Sequence, residues 1–525
     1  MTVANVTFRP GHNTARATTQ ATCASVATTT DTSTDMLPSY ATYAVGAAVS
    51  KSMSGTPPSA PPHSEVAPEG TPTPEPQPHP DFTEEHRRRV VQGFENFGLF
   101  GPRTRAPDSA SPFAARITEY PDTKPAARLY NRLSSDKRAE LELQLAKMQQ
   151  DGRIVPSTSP YSAPVVMVRK ANGKWRFCVD YRGLNQNTIP DAFPLPHVDD
   201  VIAQLHGATI LSCIDLSDGY HNLAMHPDDR HKTAFVSPTG LIEWTVLPFG
   251  VTNGPAQFSR FMANVTDGLP HVVFYLDDLF VASTSVDEHI DDLMALGGRL
   301  AANGLLVNRA KLQLGMEGGH ILGHTLIRGR LYISPDKQAR LASWPDPVDR
   351  KDVQRLLGFC NYLRAWVPHF ADIAQPRTAA TSGRGAFTWT PAMAVAKRTL
   401  LKVLSSPQAL RVPSPVGPLT LATDVATGGA LFQNGEPVWF FSKLLNKEQR
   451  KYSVRDRELL AIIHTLRATK YLVGHQPVTA VTGHASLDTF LTTGDLHDNQ
   501  GRLCRWWSEL SRYPLTILYT KGAQN

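Results

Sequence analysis

Apolar and polar positions alternate with no regular period until about residue 85, and only from about residue 125 do helix and strand periods set in. ELELQLAKMQQDG reads as an amphipathic helix ended by Gly152. APVVMVRK and, after the turn signal ANGK, WRFCVDY read as short strands. VDDVIAQLHG reads as a helix and TILSCIDL as a buried strand. TAFVSPTGLIEWTVL predicts a hairpin turning at Pro238–Gly240, PAQFSRFMANVTDGL a helix, and VVFYLDDLFVA a second hairpin. DEHIDDLMALGGRLAANG predicts a helix stopped by Gly304. Residues 335–410 are mainly helical in pattern, with QRLLGFCNYLRAWV and AVAKRTLLKVL as the clearest runs, and LTLATDVATGGALFQ opens a second α/β block near 418. Strands and helices mix without a regular βαβ alternation, which predicts an α+β fold with antiparallel strands. No internal repeat is present.

Composition changes this picture mainly at the N-terminus. Residues 1–85 are rich in Thr, Ala, Ser and Pro, with TPPSAPPHSEVAPEGTPTPEPQPHP as the extreme, and cannot bury enough apolar surface to offset their ordering entropy. Disorder is the expectation there. The DTS at 31–33 reads as part of this polar tract, because the apolar strands that a protease triplet needs are missing. Over the whole chain of 525 residues, 41% are hydrophobic and 19% charged, enough for two to four domains with packed cores. The formal charge of +6 is compatible with a polyanionic partner but does not select one. Five scattered cysteines, Cys23, Cys178, Cys213, Cys360 and Cys504, show no zinc-ligand spacing, and their odd number argues against a disulfide framework. An intracellular protein with reduced thiols is expected, with no membrane span and no signal peptide.

The chemistry is signalled by YLDD. Two adjacent aspartates, Asp277 and Asp278, interrupt an apolar run, where carboxylates are costly and repel each other. On a straight strand they would diverge, whereas at a hairpin turn both can project from one end. A bare DD pair is ordinarily a solvated hairpin tip, but here the flanking apolar strands place the tip on a core element. A divalent cation would convert two repelling carboxylates into ligands, and oxygen-only ligation suits Mg²⁺. A third acid is available in CIDLSDGY: Asp215 ends an apolar strand and meets the pair if the two strands share a sheet. Three carboxylates around two Mg²⁺ ions make a phosphoryl-transfer site. Asp218, in the same stretch, is expected to cap a helix or lie at the surface.

RFCVDYRGLN, CIDLSDGY, LPFGVTNGPAQF and FYLDD, in this order, resemble the reverse transcriptase of gypsy-type LTR retrotransposon Pol polyproteins. The resemblance continues through ILGHTLI, LLGFCNYLRAWVPHFADIAQP and FSKLLNKEQRKYSVRDRELLAI and covers about residues 140–520. It implies a right-hand polymerase with an antiparallel palm sheet: fingers and palm at 125–334 after a linker at 86–124, and thumb or connection helices at 335–412. It implies that Asp215, Asp277, Asp278 and the backbone carbonyl of Leu216 hold two Mg²⁺ ions, with Mn²⁺ as a substitute. Tyr220 is implied to pack under the nucleotide sugar and exclude a 2′-hydroxyl. Arg176, with Arg169 or Lys170, is implied to clamp the triphosphate; the family usually has Lys at the position of Arg169, so that contact falls on either residue. Phe249 and Gly250 are placed beside the incoming nucleotide, Gln257 is read as a structural helix residue, and Leu322, Gly323 and His324 resemble the hairpin that holds the primer end. Arg364, His369, Arg377 and Lys397 are candidate backbone contacts.

LATDVATGGALF and RELLAIIHTLRATKYL resemble the ribonuclease H domain of the same polyproteins, expected at 413–525 as an incomplete α/β domain. Asp424 and Glu458 match its first two acids. The third should precede a histidine in a TDH-like triplet, but the chain reads VTGHASL, with Gly483 in that place, and the fourth is expected after the KG near 521. Nothing marks Asp488 as a substitute. Nuclease activity is therefore expected to be weak or absent. The resemblance implies RNA template, DNA primer-template, RNA–DNA hybrid and dNTPs as partners, together with self-association or association with other polyprotein products. It implies a cytoplasmic particle, or the nucleus, as the location. The family's protease signature, zinc knuckle and integrase have no counterpart in these residues, so a polyprotein fragment or a degenerate copy is expected. A non-catalytic nucleic-acid-binding remnant is the alternative. An RNA-virus RNA polymerase also pairs aspartates, but Tyr220 and the ribonuclease H-like tail argue against it.

Overall fold

Strand pairing divides the molecule into four sheets among the described residues. A computed structural model describes residues 73–101, 107–128, 132–169, 173, 175–382, 387–406, 409–424, 428–487 and 501–520. The first strands are β1 (Ile154–Pro156), β2 (Ala163–Arg169), β3 (Trp175–Val179), β4 (Ile210–Asp215), β5 (Phe235–Ser237) and β6 (Gly240–Trp244). Then come β7 (Val272–Tyr275), β8 (Asp278–Ser283) and β9 (Gln313–Met316). β1-β6-β5-β2-β3 form one sheet, in fingers position, and the wholly antiparallel β7-β8-β4-β9 form the palm.

Both faces of the palm sheet are covered, which is why its strands read as continuous apolar runs. Ile214, Leu279 and Val281 face Leu293, Leu296 and Leu300 of the helix Val286–Ala302, and Phe258 and Met262 of the helix Gly254–Val265. Leu211 and Phe280 face the other way, into a core shared with Leu356, Trp366 and Leu400 of the helical region. That region holds the helices Pro335–Ala342, Arg350–Tyr362, Phe370–Ser382 and Pro391–Leu404. It is joined to the palm by a sheet of β10 (Gly318–Ile321), β11 (His324–Ile327), β12 (Arg330–Ile333) and β13 (Leu410–Arg411). Gly319 lies against Cys213 of β4, where an added Cβ would come 2.7 Å from Sγ.

The last block contains β14 (Leu419–Asp424), β15 (Gly428–Gln433), β16 (Glu436–Ser442), β17 (Val478–Thr482) and β18 (Leu515–Tyr519), ordered β16-β15-β14-β17-β18. β14, β17 and β18 run parallel. The helix Val454–Ala468 buries Leu459, Ile462, Ile463 and Leu466 against this sheet. Glu436 ties it to the preceding sheet by ion pairs with Arg330 and Arg411.

The expected disordered tract and linker are corrected at their junction. Residues 73–83 pack as a strap whose residues 77–79 run along β9: the His79 N–H donates to the Gly315 carbonyl at 2.9 Å and the Glu317 N–H to the Gln77 carbonyl at 2.8 Å. Phe82 anchors the strap, only 1% exposed, above Gly315, whose φ of +60° and missing Cβ admit the ring. By itself the segment buries too little to order, whereas here the palm supplies the apolar partner. An edge strand also offers backbone groups that a proline-rich segment can meet without a full ladder. The helix Glu84–Asn96, started by a Thr83–His86 capping box, occupies part of the expected linker.

Candidate active site

The antiparallel register of the palm brings the candidate acids together. Asp215 ends β4 and lies directly opposite Asp278, the first residue of β8. Tyr275 also pairs with Asp278, so Leu276 and Asp277 form a two-residue turn, with Leu276 at φ +55°. The N–H of Leu216 donates to the Asp277 carbonyl at 3.1 Å, pinning the turn to the end of β4. A cavity of about 370 Å³ opens beside them, lined by Asp215, Asp278, Lys311, Gln313 and His320.

The electrostatics are unbalanced. Burial, then the charges of Asp277 and Asp215, push the Asp278 carboxyl up to about 6, with Lys311 opposing. Lys311 Nζ instead donates to Asp215 Oδ2 at 2.7 Å, and that ion pair raises the lysine's own affinity for its proton. Sequence reasoning missed Lys311, because a lysine in NRAKLQ reads as solvated. Among the described residues no three His, Cys, Asp or Glu side chains stand in metal-holding geometry. The donor chemistry nevertheless fits a hard divalent cation: the set is oxygen-only, and one of its carboxyls, Asp278, is raised first by burial and then by the charges of Asp277 and Asp215.

Tyr220 is half-buried and stacks on Phe249, centroids 5.1 Å apart at 25°. Burial first, then the Asp277 charge, push its phenol up to about 12, so it stays protonated. Arg176 also lies over the Phe249 ring, its guanidinium 5.5 Å from the ring centroid. Arg176, Phe249, Tyr220 and Asp277 therefore form one neighbourhood. Gly250 follows at φ +97°, and Asn185 holds this loop by donating to the Gly250 carbonyl and accepting from the Thr252 N–H. Arg169 is engaged elsewhere, over the Trp175 ring at 5.0 Å, and Lys170 lies outside the described residues. Gln257 bonds both backbone groups of Arg116, a structural tether.

Leu322 and Gly323, at φ +49° and +79°, make the turn between β10 and β11. His324 does not project from it. The ring is 4% exposed and stacks on Trp366 and Tyr362, with Nε2 2.8 Å from the Tyr362 hydroxyl. Burial, with Lys337 nearby, holds it down to about 3, so it serves the turn as a neutral core histidine. Two candidate backbone contacts are also committed internally: Lys397 pairs with Asp346 and Arg364 donates to the Ser442 carbonyl. The Arg377 side chain lies outside the described residues, and His369, at φ +52°, sits beside Gly428 of β15.

In the last block, Asp424 ends β14, its side chain outside the described residues, as is Asp488. Glu458 is buried and accepts a hydrogen bond from the Thr482 hydroxyl, immediately before Gly483.

The reverse transcriptase (RNA-dependent DNA polymerase) family model matches residues 168–326, and that of the RNase H-like domain found in reverse transcriptase matches 419–513. The chain carries a reverse transcriptase domain followed by a ribonuclease H-like domain. The retrovirus-related Pol polyprotein from transposon 297 of Drosophila melanogaster is 33% identical over 411 residues, 75% of this chain and 38% of that protein. The transposon Tf2-3 polyprotein of Schizosaccharomyces pombe is 30% identical over 386 residues, 71% of this chain and 29% of the relative. The chain thus spans well under half the length of these relatives. Two solved structures share the reverse transcriptase fold. The foamy viral protease-reverse transcriptase in complex with dsDNA has a TM-score of 0.75 at 21% identity, covering 84% of this chain and 94% of that one. The same protein in complex with an RNA/DNA hybrid has a TM-score of 0.71 at 20% identity, covering 84% of this chain and 61% of that one. The reverse transcriptase match spans all three palm acids, and the ribonuclease H-like match spans Glu458 and Gly483. No helix among the described residues is long and apolar enough to cross a membrane.

Proposed function

We propose that this chain is an RNA-directed DNA polymerase acting as part of a retrotransposon polyprotein. It extends a primer 3′-hydroxyl with dNTPs on an RNA or DNA template. The observation that carries the reading is the register that sets Asp215 opposite Asp278 with Asp277 in the adjoining turn. These carboxylates and the Leu216 carbonyl would hold two Mg²⁺ ions, with Mn²⁺ as a substitute. When bound, the ions supply Lewis-acid charge that activates the hydroxyl and neutralises the leaving pyrophosphate.

The chain's own residues do the positioning, which with charge neutralisation supplies most of the rate in phosphoryl transfer. Arg176 offers a guanidinium to the triphosphate, with Arg169 or Lys170 as a further cation. Tyr220 and Phe249 form a stacked floor for the sugar, and Tyr220 excludes a 2′-hydroxyl. Gly250 lets the backbone approach the nucleotide. Leu322, Gly323 and His324 seat the primer end, His324 from behind the turn. The partners are the RNA template, the DNA primer-template, the RNA–DNA hybrid and dNTPs, and the foamy viral complexes with dsDNA and RNA/DNA hybrid support them. Self-association or association with other polyprotein products, in a cytoplasmic particle or the nucleus, belongs to the same reading.

The ribonuclease H-like domain is read as binding hybrid with weak or absent cutting, because Gly483 stands where an acid is needed and Glu458 is bonded to Thr482. Primer extension on an RNA template, wild type against Asp277→Asn, tests the polymerase. Incorporation of dNTPs lost in the variant is expected; equal extension by both proteins, or a preference for rNTPs, overturns it. Strong Mg²⁺-dependent cutting of hybrid that Asp424→Asn abolishes overturns the reading of the second domain.

A further inference from the structure

The loop that carries Tyr220 is under backbone constraint that its own sequence does not relieve. Asp218 sits at φ +67° and Gly219 at φ +45°, two successive left-handed residues just before the tyrosine. For a non-glycine residue that conformation is unfavourable and persists only where the surroundings hold it. Of the two roles expected for Asp218, a helix cap or a surface position, its side chain makes no capping bond and lies exposed at the surface. It reaches out to Arg153 instead, whose Nη2 donates to Asp218 Oδ2 at 2.8 Å.

Arg153 comes from a different part of the fold, one residue ahead of β1 and directly after the turn at Gly152. Its side chain is 15% exposed, well buried for an arginine. The same guanidinium lies 3.2 Å from Asp151 and 3.3 Å from His221 Nδ1. The His221 ring in turn meets Phe249 edge-on at 5.2 Å, and Phe249 is the ring on which Tyr220 stacks. From inside, the buried Asn222 donates to the carbonyls of Ser217 and Gly219, both at 2.8 Å. The loop is braced on two sides. Its tightest point faces the acids: a Cβ on Gly219 would lie 3.3 Å from Asp277 Oδ2 and 3.7 Å from the Phe249 ring.

We infer that Arg153 is a positioning residue for nucleotide selection: through Asp218 and His221 it fixes where the Tyr220–Phe249 floor lies relative to the palm acids. This rests on the reading of Tyr220 as the residue that excludes ribonucleotides. The Arg153 guanidinium engages Asp218, Asp151 and His221 rather than Asp215, Asp277 or Asp278, so its loss is expected to shift selection rather than abolish synthesis. A floor displaced by a fraction of an ångström still supports the sugar but no longer collides reliably with a 2′-hydroxyl.

The test compares wild type, Asp218→Asn, Arg153→Met, Arg153→Lys and Tyr220→Ala in primer extension, with kcat and KM measured separately for a dNTP and its rNTP. Tyr220→Ala is expected to relax ribonucleotide exclusion most. Asp218→Asn and Arg153→Met are expected to relax it by roughly tenfold, the scale on which small misplacements act, mainly through KM, and Arg153→Lys to restore most of it. Hydrogen exchange of the 216–223 amides gives a second readout that does not depend on activity, expected to quicken in Asp218→Asn with exchange elsewhere unchanged. If Tyr220→Ala relaxes exclusion while Asp218→Asn and Arg153→Met leave both exclusion and exchange as in wild type, the brace is overturned and the selecting role of Tyr220 stands. If Tyr220→Ala itself excludes ribonucleotides as wild type does, the selecting role fails and this inference fails with it.

Discussion

The palm sets its acids at strand ends, whereas the ribonuclease H-like domain has Asp424 at the end of β14 and Glu458 on the helix Val454–Ala468 that backs the sheet, and the surroundings of the acids differ. In the palm, Asp215 and Asp278 face each other across β4 and β8, and Asp278 is pushed up to about 6 by burial and its neighbours' charges. Among the described residues, only Lys311, on Asp215, supplies a direct cation. In the second domain the buried Glu458 is already bonded to Thr482, and the next residue is Gly483. One site keeps a carboxyl raised by burial and by neighbouring acids, a condition more often met at functional sites than in structural cores. The other has settled its buried acid within the fold.

The division is broken most directly at the acids. Asp278→Asn is expected to slow primer extension about a thousandfold, about 4 kcal/mol of transition-state stabilisation, while Glu458→Gln leaves it unchanged. A loss of extension in Glu458→Gln of the same size would show that the two sites do not act separately. Gly483→Asp sharpens the comparison from the other side. If one missing acid is the main defect, hybrid cleavage should rise roughly tenfold or more above background; a flat result means the second site has lost more than that ligand.

Acid pH probes the frame rather than the chemistry. His289 is fully buried beneath the palm, its Nε2 2.7 Å from the Ser212 hydroxyl and its Nδ1 3.0 Å from that of Ser283. The Ser212 hydroxyl accepts from the Gly315 N–H and the Ser283 hydroxyl donates to Asp292, so the chain of bonds is complete with a neutral ring. Burial, helped by His79, holds His289 down to about 4. The unfolded chain then takes a proton that the folded one refuses. Stability is whole above about pH 6.5 and is lost as the pH falls toward 4, by on the order of 3 kcal/mol from this residue. Urea midpoints at pH 7 and 4.5 should therefore differ strongly in wild type and less in His289→Asn, which costs about 1–3 kcal/mol at pH 7 through the broken bonds. His464, in the helix of the second domain, is held down to about 4 as well, so some acid sensitivity remains in that variant. The smallest effect is expected at the contact between the regions: Glu436→Gln, at a partly exposed ion pair with Arg330 and Arg411, should lower stability by about 1 kcal/mol or less. A loss of several kcal/mol there would mean that the second domain braces the first far more than its surface suggests.

Much of the palm was legible because its signals are local. The hairpin at YLDD follows from two apolar runs around a short polar tip, and the helix ending at Gly304 from its period and its stop residue. Both appear as β7–β8 and Val286–Ala302. The candidate acids could be chosen for the same reason: a carboxylate in an apolar run is visible without coordinates. What escaped notice was the partner of each unusual residue. Nothing in NRAKLQ marks Lys311 as the counter-ion of Asp215. Nothing in DGRIVP marks Arg153 as the partner of Asp218. His324 reads as a candidate primer contact in ILGHTLI, yet it is stacked inside between Trp366 and Tyr362. The strap at 73–83 escaped because composition reports what a segment can bury alone.

By itself, then, the amino-acid order determined the kinds of element, their order and the positions where charge is out of place, since periodicity and local cost are properties of neighbouring residues. The tertiary structure alone decided which of those charges meet: that Asp215 lies opposite Asp278, that Lys311 and Arg153 answer acids far from them in the chain, and that Glu458 is bonded to Thr482. Register and side-chain partnership depend on how whole sheets and helices pack, and no short stretch of sequence carries that information.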